Sequence, residues 1–322
     1  MNIKLGVIMD PISSINVQKD STFAMLIESQ KRGFKIFYME VKDIFWKNKK
    51  AYGISKILQV NYNLKKWFNF IEEKIINLSD LDVILMRKDP PFDMEFIYCT
   101  YILEFVEKTG VLIINKPKSL RNCNEKIFTC NFKNIIPNTL ISKNKKEIKK
   151  FIEENNEIIV KPLDAMGGHS IFKISKGDPN ISVIIETMTK KENRYCIAQN
   201  YISDIKHGDK RILIINGKPI SYCLARIPLK GEVRGNLASG GIGKVQPITK
   251  NDLYIVEQIS KTLKKRGLLF VGIDIIGNFL TEINITSPTC IIEIEKETKI
   301  PITKKIINMI EKKIYIIKKR RK

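Results

Sequence analysis

Three oxygen-bearing side chains interrupt an otherwise apolar stretch at residues 269–290. The pattern predicts two buried strands joined by a tight turn at residues 277–278. Asp274 lies on the first strand, whereas Glu282 and Asn284 lie two residues apart on the second and therefore point to one face. A carboxylate inside a buried strand is costly unless a partner neutralises it. The stretch therefore indicates a binding site built on a β-hairpin.

The length of the turn decides whether these three side chains meet. A three-residue loop at 277–279 would place Asp274 opposite Glu282, and a two-residue loop would place Asp274 opposite Thr281. We predict the three-residue loop. Two carboxylates and an amide oxygen form a set of hard ligands that suits Mg²⁺, and Mn²⁺ can share it. The alternative is a hairpin whose polar residues lie on a solvated face.

Length and composition limit the class of protein. The chain has 322 residues and 43% apolar residues, which is typical of a globular protein with about two or three domains. Its apolar runs are too short to cross a membrane, and the N-terminal residues lack the pattern of a signal peptide. We therefore expect a cytoplasmic protein without a membrane partner. Its six cysteines and two histidines show no zinc or disulfide pattern.

The net charge of +22 raises the question of nucleic-acid binding. The 56 lysines and arginines are dispersed along the chain, and the dense basic run is the C-terminal KKRRK. Few aromatic residues lie among the basic ones, although a base-stacking surface would need them. We therefore favour lysines spread over solvated faces and expect no nucleic-acid partner.

The N-terminal segment has the pattern of a βαβ unit. Residues 3–9 alternate as a strand, a helix capped by Asp20 or Ser21 follows, and a second strand comes next. This order predicts a parallel sheet with helices on its faces, although no dinucleotide fingerprint follows the first strand. Residues 44–80 are less regular. The buried strand after them ends at Arg87, which is either a ligand-binding position or a solvated strand end.

Two glycine-bearing segments in the second half of the chain are typical of loops that close over ligands. The glycine flap, residues 163–170, lies between two predicted strands and follows Lys161. Its backbone N–H groups can cover phosphates, although most glycine hairpins are only turns. The glycine lid, residues 231–243, holds five of the 17 glycines and no hydrophobic period. Arg226 and Arg234 favour a lid over an anionic intermediate rather than a flexible linker.

Longer runs of the chain, taken in order, resemble the bacterial glutathione synthetase family of the ATP-grasp superfamily. These runs are MDPISSIN, VILMRKDPPFD, NKPKSLRNCNEK, VKPLDAMGG, AQNYI, YCLARIP, RGNLASGG, GIDIIG and TEINITSPTC, and the similarity extends over nearly the whole chain. The resemblance implies a mixed α/β chain, with an N-terminal parallel-sheet βαβ domain before a two-part ATP-grasp module. We expect a substrate-binding domain at residues 1–122, a subdomain with the flap at 123–203 and a catalytic subdomain at 204–322.

The resemblance also implies roles for individual residues. The expected ATP-binding residues are Lys126, Lys161, Gly167, Gly168, Gln199, Asn200, Tyr201, Ile202 and Asp209. Mg²⁺ is expected at Asp274, Glu282 and Asn284. The expected catalytic residues are Arg211, Arg226 and Lys161, and the expected substrate-binding residues are Arg87, Arg211, Arg226, Ser287 and Thr289. The lid residues are Arg234, Gly235, Gly240 and Gly241.

The implied reaction joins γ-glutamylcysteine to glycine through an acyl phosphate, with ATP as co-substrate and ADP and phosphate as products. Another ATP-grasp carboxylate–amine ligase is the alternative. A homo-oligomer is expected, and the resemblance suggests a tetramer. Two positions depart from the family pattern: Ala165 in the flap stands where glycine is usual, and Ile242 in the lid stands where arginine is frequent.

Overall fold

The computed structural model describes residues 2–321, which contain three β-sheets. The strands of the N-terminal sheet are β1 (Lys4–Met9), β2 (Lys35–Met39), β3 (Ile44–Lys47), β4 (Lys50–Val60), β5 (Phe68–Asn77), β6 (Val83–Arg87) and β7 (Leu112–Ile114). Its helices are α1 (Ser21–Lys31), α2 (Met94–Lys108) and α3 (Pro117–Asn122). The Asp20 side chain caps α1 by accepting a hydrogen bond from the Phe23 N–H at 2.6 Å.

The predicted parallel sheet is confirmed for β2, β1, β6 and β7, which pair in that order. The expectation of irregular structure at residues 44–80 is wrong, because β3, β4 and β5 form antiparallel pairs there. A bulge between Ile57 and Leu58 breaks the alternation of β4 against β5, and half of the β5 residues are exposed while none is buried. The period-2 signal that identifies a half-buried strand is therefore weak in this segment.

The second sheet is antiparallel in the order β10-β9-β11-β8. Its strands are β8 (Thr139–Ser142), β9 (Glu157–Pro162), β10 (Phe172–Ser175) and β11 (Cys196–Asn200), and its helices are α4 (Lys145–Asn155) and α5 (Ile181–Thr189). Ile148, Ile158 and Ile174 belong to an apolar cluster that is confined to this part of the chain. The second sheet therefore has a core of its own.

The third sheet is antiparallel in the order β14-β13-β12-β15-β16. Its strands are β12 (Asp209–Ile215), β13 (Lys218–Ile227), β14 (Ile242–Pro247), β15 (Phe270–Ile276) and β16 (Phe279–Asn284), and its helices are α6 (Lys250–Lys265), α7 (Ile291–Thr298) and α8 (Ile302–Arg321). Apolar residues of the first and third sheets, such as Leu5, Leu213 and Phe270, form continuous clusters. These two sheets therefore pack as one body beside the second.

Within residues 2–321, none of the helices has the length and apolar character that a membrane crossing would require. The six cysteines are free thiols, and all except Cys130 are buried. Burial raises the pKa of the Cys196 and Cys223 thiols to about 11, which keeps them protonated at neutral pH.

Candidate active site

The β15–β16 hairpin brings Asp274 directly opposite Glu282, as predicted. The predicted three-residue loop is wrong. Ile276 pairs with Phe279 across a two-residue turn, and a bulge after Asp274 supplies the extra residue that restores the pairing with Glu282. Thr281, at the bulge, donates its hydroxyl to the Asp274 carbonyl oxygen at 3.1 Å. The bulge therefore produces the pairing of Asp274 with Glu282 that we expected a longer loop to produce.

Charged side chains continue across the same face of the third sheet. Arg211 on β12 pairs with Asp274 on β15, and Arg226 on β13 pairs with Asp209 on β12. The Arg211 guanidinium donates Nη2 to Asp274 Oδ2 at 2.9 Å, and Arg226 Nη2 lies 2.9 Å from the same oxygen. The four side chains therefore form one network of alternating charge.

The burial of these side chains determines how strongly their charges shift one another's pKa. The exposed fraction is 6% for Arg211, 4% for Arg226 and 2% for Asp274. Burial alone would raise the pKa of Asp274, but the two arginines outweigh it and hold that pKa far below its ordinary value. Burial is the dominant effect at Asp209 and raises its pKa to about 6. Arg211 and Arg226 are therefore paired with protein carboxylates in this structure, and their buried guanidinium groups are suited to binding an anion.

Glu282 and Asn284 complete the predicted metal set. Lys126 Nζ lies 3.0 Å from Glu282 Oε1, and Asn284 Nδ2 donates to Asp274 Oδ2 at 3.2 Å. No group of three or more His, Cys, Asp or Glu side chains is arranged to hold a metal within the described residues, so the set depends on the Asn284 amide. Carboxylate and amide oxygens are hard ligands and fit Mg²⁺. The neighbouring lysine and arginine side chains provide the positive charge that a bound metal would also provide.

The first pocket lies between the second and third sheets and, counted out to the solvent at its mouth, has a volume of about 860 Å³. All the predicted ATP-binding residues line it: Lys126, Lys161, Gly167, Gly168, Gln199, Asn200, Tyr201, Ile202 and Asp209. Burial lowers the pKa of the Lys161 ammonium, against the attraction of Glu282. Asn200 Oδ1 and Asp209 Oδ1 are buried, and neither accepts a hydrogen bond from any group within residues 2–321. Unpaired buried oxygens are costly, so donors from a ligand would complete them.

The glycine flap and the glycine lid meet above this pocket. Ser239 in the lid donates its hydroxyl to the Gly167 carbonyl oxygen in the flap at 2.9 Å. Gly241 packs so closely that a Cβ would lie 2.1 Å from the Gly235 carbonyl oxygen, so larger residues do not fit there. The lid is less irregular than predicted, because Ile242 and Gly243 belong to β14 and pair with β13. Whether the lid is mobile stays a prediction.

The second pocket adjoins the first and, counted out to the solvent at its mouth, has a volume of about 850 Å³. Arg211, Arg226, Ser287 and Thr289 line it, together with Glu282, which also lines the first pocket. The first pocket therefore adjoins, at Glu282, a pocket that is lined by two buried guanidinium groups.

Arg87 lies beneath the wall of the second pocket. It is 4% exposed, so the alternative of a solvated strand end is wrong. Its Nε donates to Thr22 Oγ1 at 3.0 Å, and its Nη2 donates to the Pro288 carbonyl oxygen at 2.9 Å. These contacts hold the turn that contains Ser287 and Thr289, and Arg87 itself is not among the residues that line the pocket.

Comparison with known proteins identifies the family. A model of the prokaryotic glutathione synthetase N-terminal domain matches residues 3–121, and a model of the prokaryotic glutathione synthetase ATP-grasp domain matches residues 125–299. The chain belongs to the prokaryotic glutathione synthetase family. It is therefore an ATP-dependent ligase with an ATP-grasp domain, and ligases of this type use ATP and a divalent metal.

Curated relatives match the chain over almost its full length. It is 56% identical to the glutathione synthetase of Escherichia coli over 312 residues, which are 97% of this chain and 99% of the relative. It is also 56% identical to that of Buchnera aphidicola over 316 residues, which are 98% and 99% of the two chains. An identity this high over the whole length fits a shared fold in every region that forms the site.

More distant solved structures share the fold alone. The crystal structure of the D-cycloserine synthetase DcsG superposes with a TM-score of 0.67 at 10% identity and covers 95% of this chain and 99% of that one. The ATP-grasp ligase PsnB, complexed with a minimal precursor, Mg and ADP, has a TM-score of 0.60 at 13% identity and covers 96% and 98%. Both confirm the mixed α/β ATP-grasp architecture.

Two residues that hold the site together were missed from the sequence. The Asn115 side chain donates to the Phe270 and Ile285 carbonyl oxygens at 2.8 and 2.7 Å and accepts from the Leu269 and Phe270 N–H groups at 2.7 and 3.0 Å. It therefore clamps the base of the β15–β16 hairpin to the N-terminal sheet. A buried amide directly after an apolar strand was the signal available in the sequence.

Glu125 is the second missed residue. The structure has a turn at residues 125–126 that continues into a 3-10 turn at Ile127–Asn131. The Glu125 carbonyl oxygen accepts from the Ile283 N–H at 2.9 Å, so this turn lies alongside β16. The sequence offers no period from which this contact could be read.

Proposed function

We propose that this chain is a glutathione synthase that joins γ-glutamylcysteine to glycine with ATP, releasing ADP and phosphate. The observation that carries the proposal is the shared boundary of two pockets at Glu282. One pocket has lysines and backbone N–H groups suited to phosphates, and the other has two buried arginines suited to carboxylates. An acyl phosphate forms where a phosphate chain and a carboxylate meet, and this boundary is such a place.

In the first pocket, we infer that Lys126 and Lys161 hold the phosphates of ATP under the glycine flap. Residues 199–202 face the adenine ring, and Asp209 lies near the nucleotide. The unpaired oxygens of Asn200 and Asp209 support this assignment, because the amino and hydroxyl groups of a nucleoside are donors. The flap is stiffened by Ala165, whose carbonyl oxygen accepts from Lys126 Nζ at 2.8 Å.

Asp274, Glu282 and Asn284 are the residues that would hold Mg²⁺, with Mn²⁺ as a substitute. The metal supplies positive charge beside the phosphates when it is bound. The remaining roles in this mechanism belong to protein residues. Lys126 and Lys161 neutralise the phosphate chain, and the lid excludes water, which would otherwise hydrolyse an acyl phosphate.

In the second pocket, Arg211 and Arg226 orient the cysteinyl carboxylate toward the γ-phosphate. A carboxylate oxygen forms a bond to phosphorus, the bond to the ADP oxygen breaks, and an acyl phosphate results. The glycine nitrogen then forms a bond to the acyl carbon, and phosphate departs. Arg87 has an indirect role in substrate binding. It supports the turn that contains Ser287 and Thr289, and that turn faces the peptide substrate. No side-chain nucleophile is required.

Several further features complete the proposal. We propose a cytoplasmic homo-oligomer, a tetramer by family resemblance, with domains at residues 1–122, 123–203 and 204–322. The basic residues carry no nucleic-acid function. The sheets of the first and third segments share apolar clusters, whereas the second segment has its own core, which supports its treatment as a separate subdomain.

Phosphate release measured across a panel of acid and amine pairs tests the proposed substrates. We expect release that depends on ATP, Mg²⁺, γ-glutamylcysteine and glycine together, with glutathione as the product by mass spectrometry. Faster turnover of another acid or amine would favour the alternative, a different ATP-grasp carboxylate–amine ligase. Tight, sequence-selective binding of DNA or RNA at physiological salt, with a Kd of roughly 10⁻⁸ M or below, would contradict the absence of a nucleic-acid partner.

A further inference from the structure

Glu125 is fixed against the segment that follows β16. Its Oε1 accepts hydrogen bonds from the Ile285 N–H at 2.8 Å, the Thr286 N–H at 3.1 Å and the Thr286 hydroxyl at 2.9 Å. Three donors on one oxygen leave the carboxylate little freedom to rotate, and they set where its other oxygen points.

The other oxygen of Glu125, Oε2, takes part in none of the hydrogen bonds found among residues 2–321. Glu125 lines the second pocket, on the same cavity as Arg211 and Arg226. Burial raises the pKa of its carboxyl, and the charge of Glu282 raises it further. A partly buried carboxylate with one free oxygen favours a ligand group that is cationic or donates hydrogen bonds.

The position of Glu125 distinguishes it from the other carboxylates of the second pocket, Asp89 and Glu282. Glu282 is a predicted metal ligand. The charged groups that act on Asp89 all come from the N-terminal sheet region. Those that act on Glu125 are Glu282 and Lys126, which lie at the boundary with the first pocket. Of the two carboxylates that are not predicted metal ligands, Glu125 is therefore the one whose charged neighbours lie at the boundary between the two pockets.

We propose that Glu125 Oε2 binds the amino group of the acceptor amino acid and holds its nitrogen toward the acyl carbon. This inference rests on the proposed function. Glu125 Oε2 takes one proton from the ammonium group, and the freed electron pair of the nitrogen forms the bond to the acyl carbon. The bond from that carbon to the phosphate oxygen breaks, and the departing phosphate takes the second proton of the amine. The positive charges of Arg211 and Arg226 complement the carboxylates of the reactants, and the negative charge of Glu125 complements the amino group.

Glu125→Gln is the decisive variant, because it is isosteric. Its amide oxygen can keep all three hydrogen bonds from residues 285–286, while the free oxygen becomes an NH₂ group that repels an ammonium. We expect the KM for glycine to rise about tenfold or more, as loss of a charge-assisted hydrogen bond would cause. The KM for ATP and the thermal stability are expected to stay close to wild type.

Hydroxylamine separates the two steps, since it is uncharged at neutral pH and traps an acyl phosphate as a hydroxamate. We expect hydroxamate formation by Glu125→Gln to stay near that of wild type. If the wild-type protein forms neither hydroxamate nor ADP with γ-glutamylcysteine, the proposed function itself fails. If the wild-type protein is active and Glu125→Gln keeps the wild-type KM for glycine, the function stands and the role of Glu125 is refuted.

Glu295→Gln is the matched control. Its Oε1 accepts from the Thr303 N–H at 2.6 Å and the Thr303 hydroxyl at 2.8 Å, and it lines neither of the two pockets. We expect wild-type KM values from it. Glu125→Asp keeps the charge but withdraws the oxygen by one methylene, so we expect a smaller rise in the KM for glycine. An unchanged KM in Glu125→Asp would overturn the proposal even if Glu125→Gln does not fold.

Discussion

Replacing Glu282 with glutamine tests the centre of the proposed mechanism. The change preserves size and one oxygen but removes a negative charge from the hairpin. Glu282 is the charged residue among those that line both pockets; its Oε1 lies 3.0 Å from Lys126 Nζ, and 19% of its side chain is exposed. The change therefore removes the charge of the proposed metal ligand and of the partner of a buried lysine at the same time.

The structure separates the expected effect on rate from the effect on folding. Loss of one preorganised electrostatic group costs about 10²–10³ in turnover, or about 2.7–4 kcal/mol of transition-state stabilisation. The effect on folding is smaller, because Lys126 keeps its hydrogen bond to the Ala165 carbonyl oxygen at 2.8 Å and a glutamine oxygen can still accept from it. We expect a loss of about 1–3 kcal/mol in the free energy of unfolding, as for a hydrogen bond to a charged group.

Steady-state phosphate release at several Mg²⁺ concentrations measures the rate, and urea unfolding measures the stability. Glu157→Gln is a suitable control, because Glu157 pairs with Lys173 at 2.7 Å and neither residue lines the two pockets. The control is expected to have wild-type turnover. If Glu282→Gln keeps more than about half of wild-type turnover at saturating Mg²⁺, Glu282 does not supply the electrostatic group that the mechanism needs.

Three further predictions concern other parts of the structure. Trypsin is expected to cleave the lid at residues 231–243 after Arg234 and to do so more slowly with ATP and γ-glutamylcysteine bound; equal rates would count against a lid. Asn115→Ala leaves four buried backbone groups unpaired and is expected to lower the free energy of unfolding in urea by roughly 2–5 kcal/mol, so a loss below about 1 kcal/mol would contradict the clamp. Burial raises the pKa of Asp209 to about 6, so the folded state binds its proton more tightly than the unfolded state and the wild type is expected to lose stability relative to Asp209→Asn as pH rises from about 4 to about 6. A pH-independent difference in urea unfolding between these two proteins would refute that assignment.

Regular elements with a strong local signal could be predicted from the sequence. The Asp20 cap of α1 depends on local chemistry and occurs as expected, and the turn between β12 and β13 contains the Asn216-Gly217 pair that favours tight hairpins. In contrast, the strands within residues 44–80 depend on pairing between distant residues, and their exposed faces hide the alternation. Propensity and period contain no information about such pairing, so this part of the first sheet could not be predicted.

The candidate site shows the same division. The pairing of Asp274 with Glu282 was predicted for the wrong reason, because the sequence does not distinguish a longer loop from a bulge at Thr281. The contacts of Asn115 and Glu125 join parts of the chain that lie far apart in sequence, with separations of up to 170 and 161 residues. Only the folded chain brings such groups together, so their positions could not be predicted from spacing.

The hydrogen bonds around Asp274 imply a rearrangement when ligands arrive. Oδ2 of Asp274 faces Arg211, Arg226 and the Nδ2 group of Asn284, which is more donors than one oxygen can satisfy at full strength. A metal needs an oxygen of Asn284, not its NH₂ group, so its amide must rotate by half a turn to serve as a ligand. That rotation removes one donor from Asp274 and brings the amide oxygen to the position beside Asp274 Oδ2 that Nδ2 occupies now. A substrate carboxylate can then accept some of the hydrogen bonds that the two arginines now donate to Asp274. The proposed metal and the acyl substrate would therefore each reduce the number of donors around Asp274 Oδ2, and each would favour binding of the other.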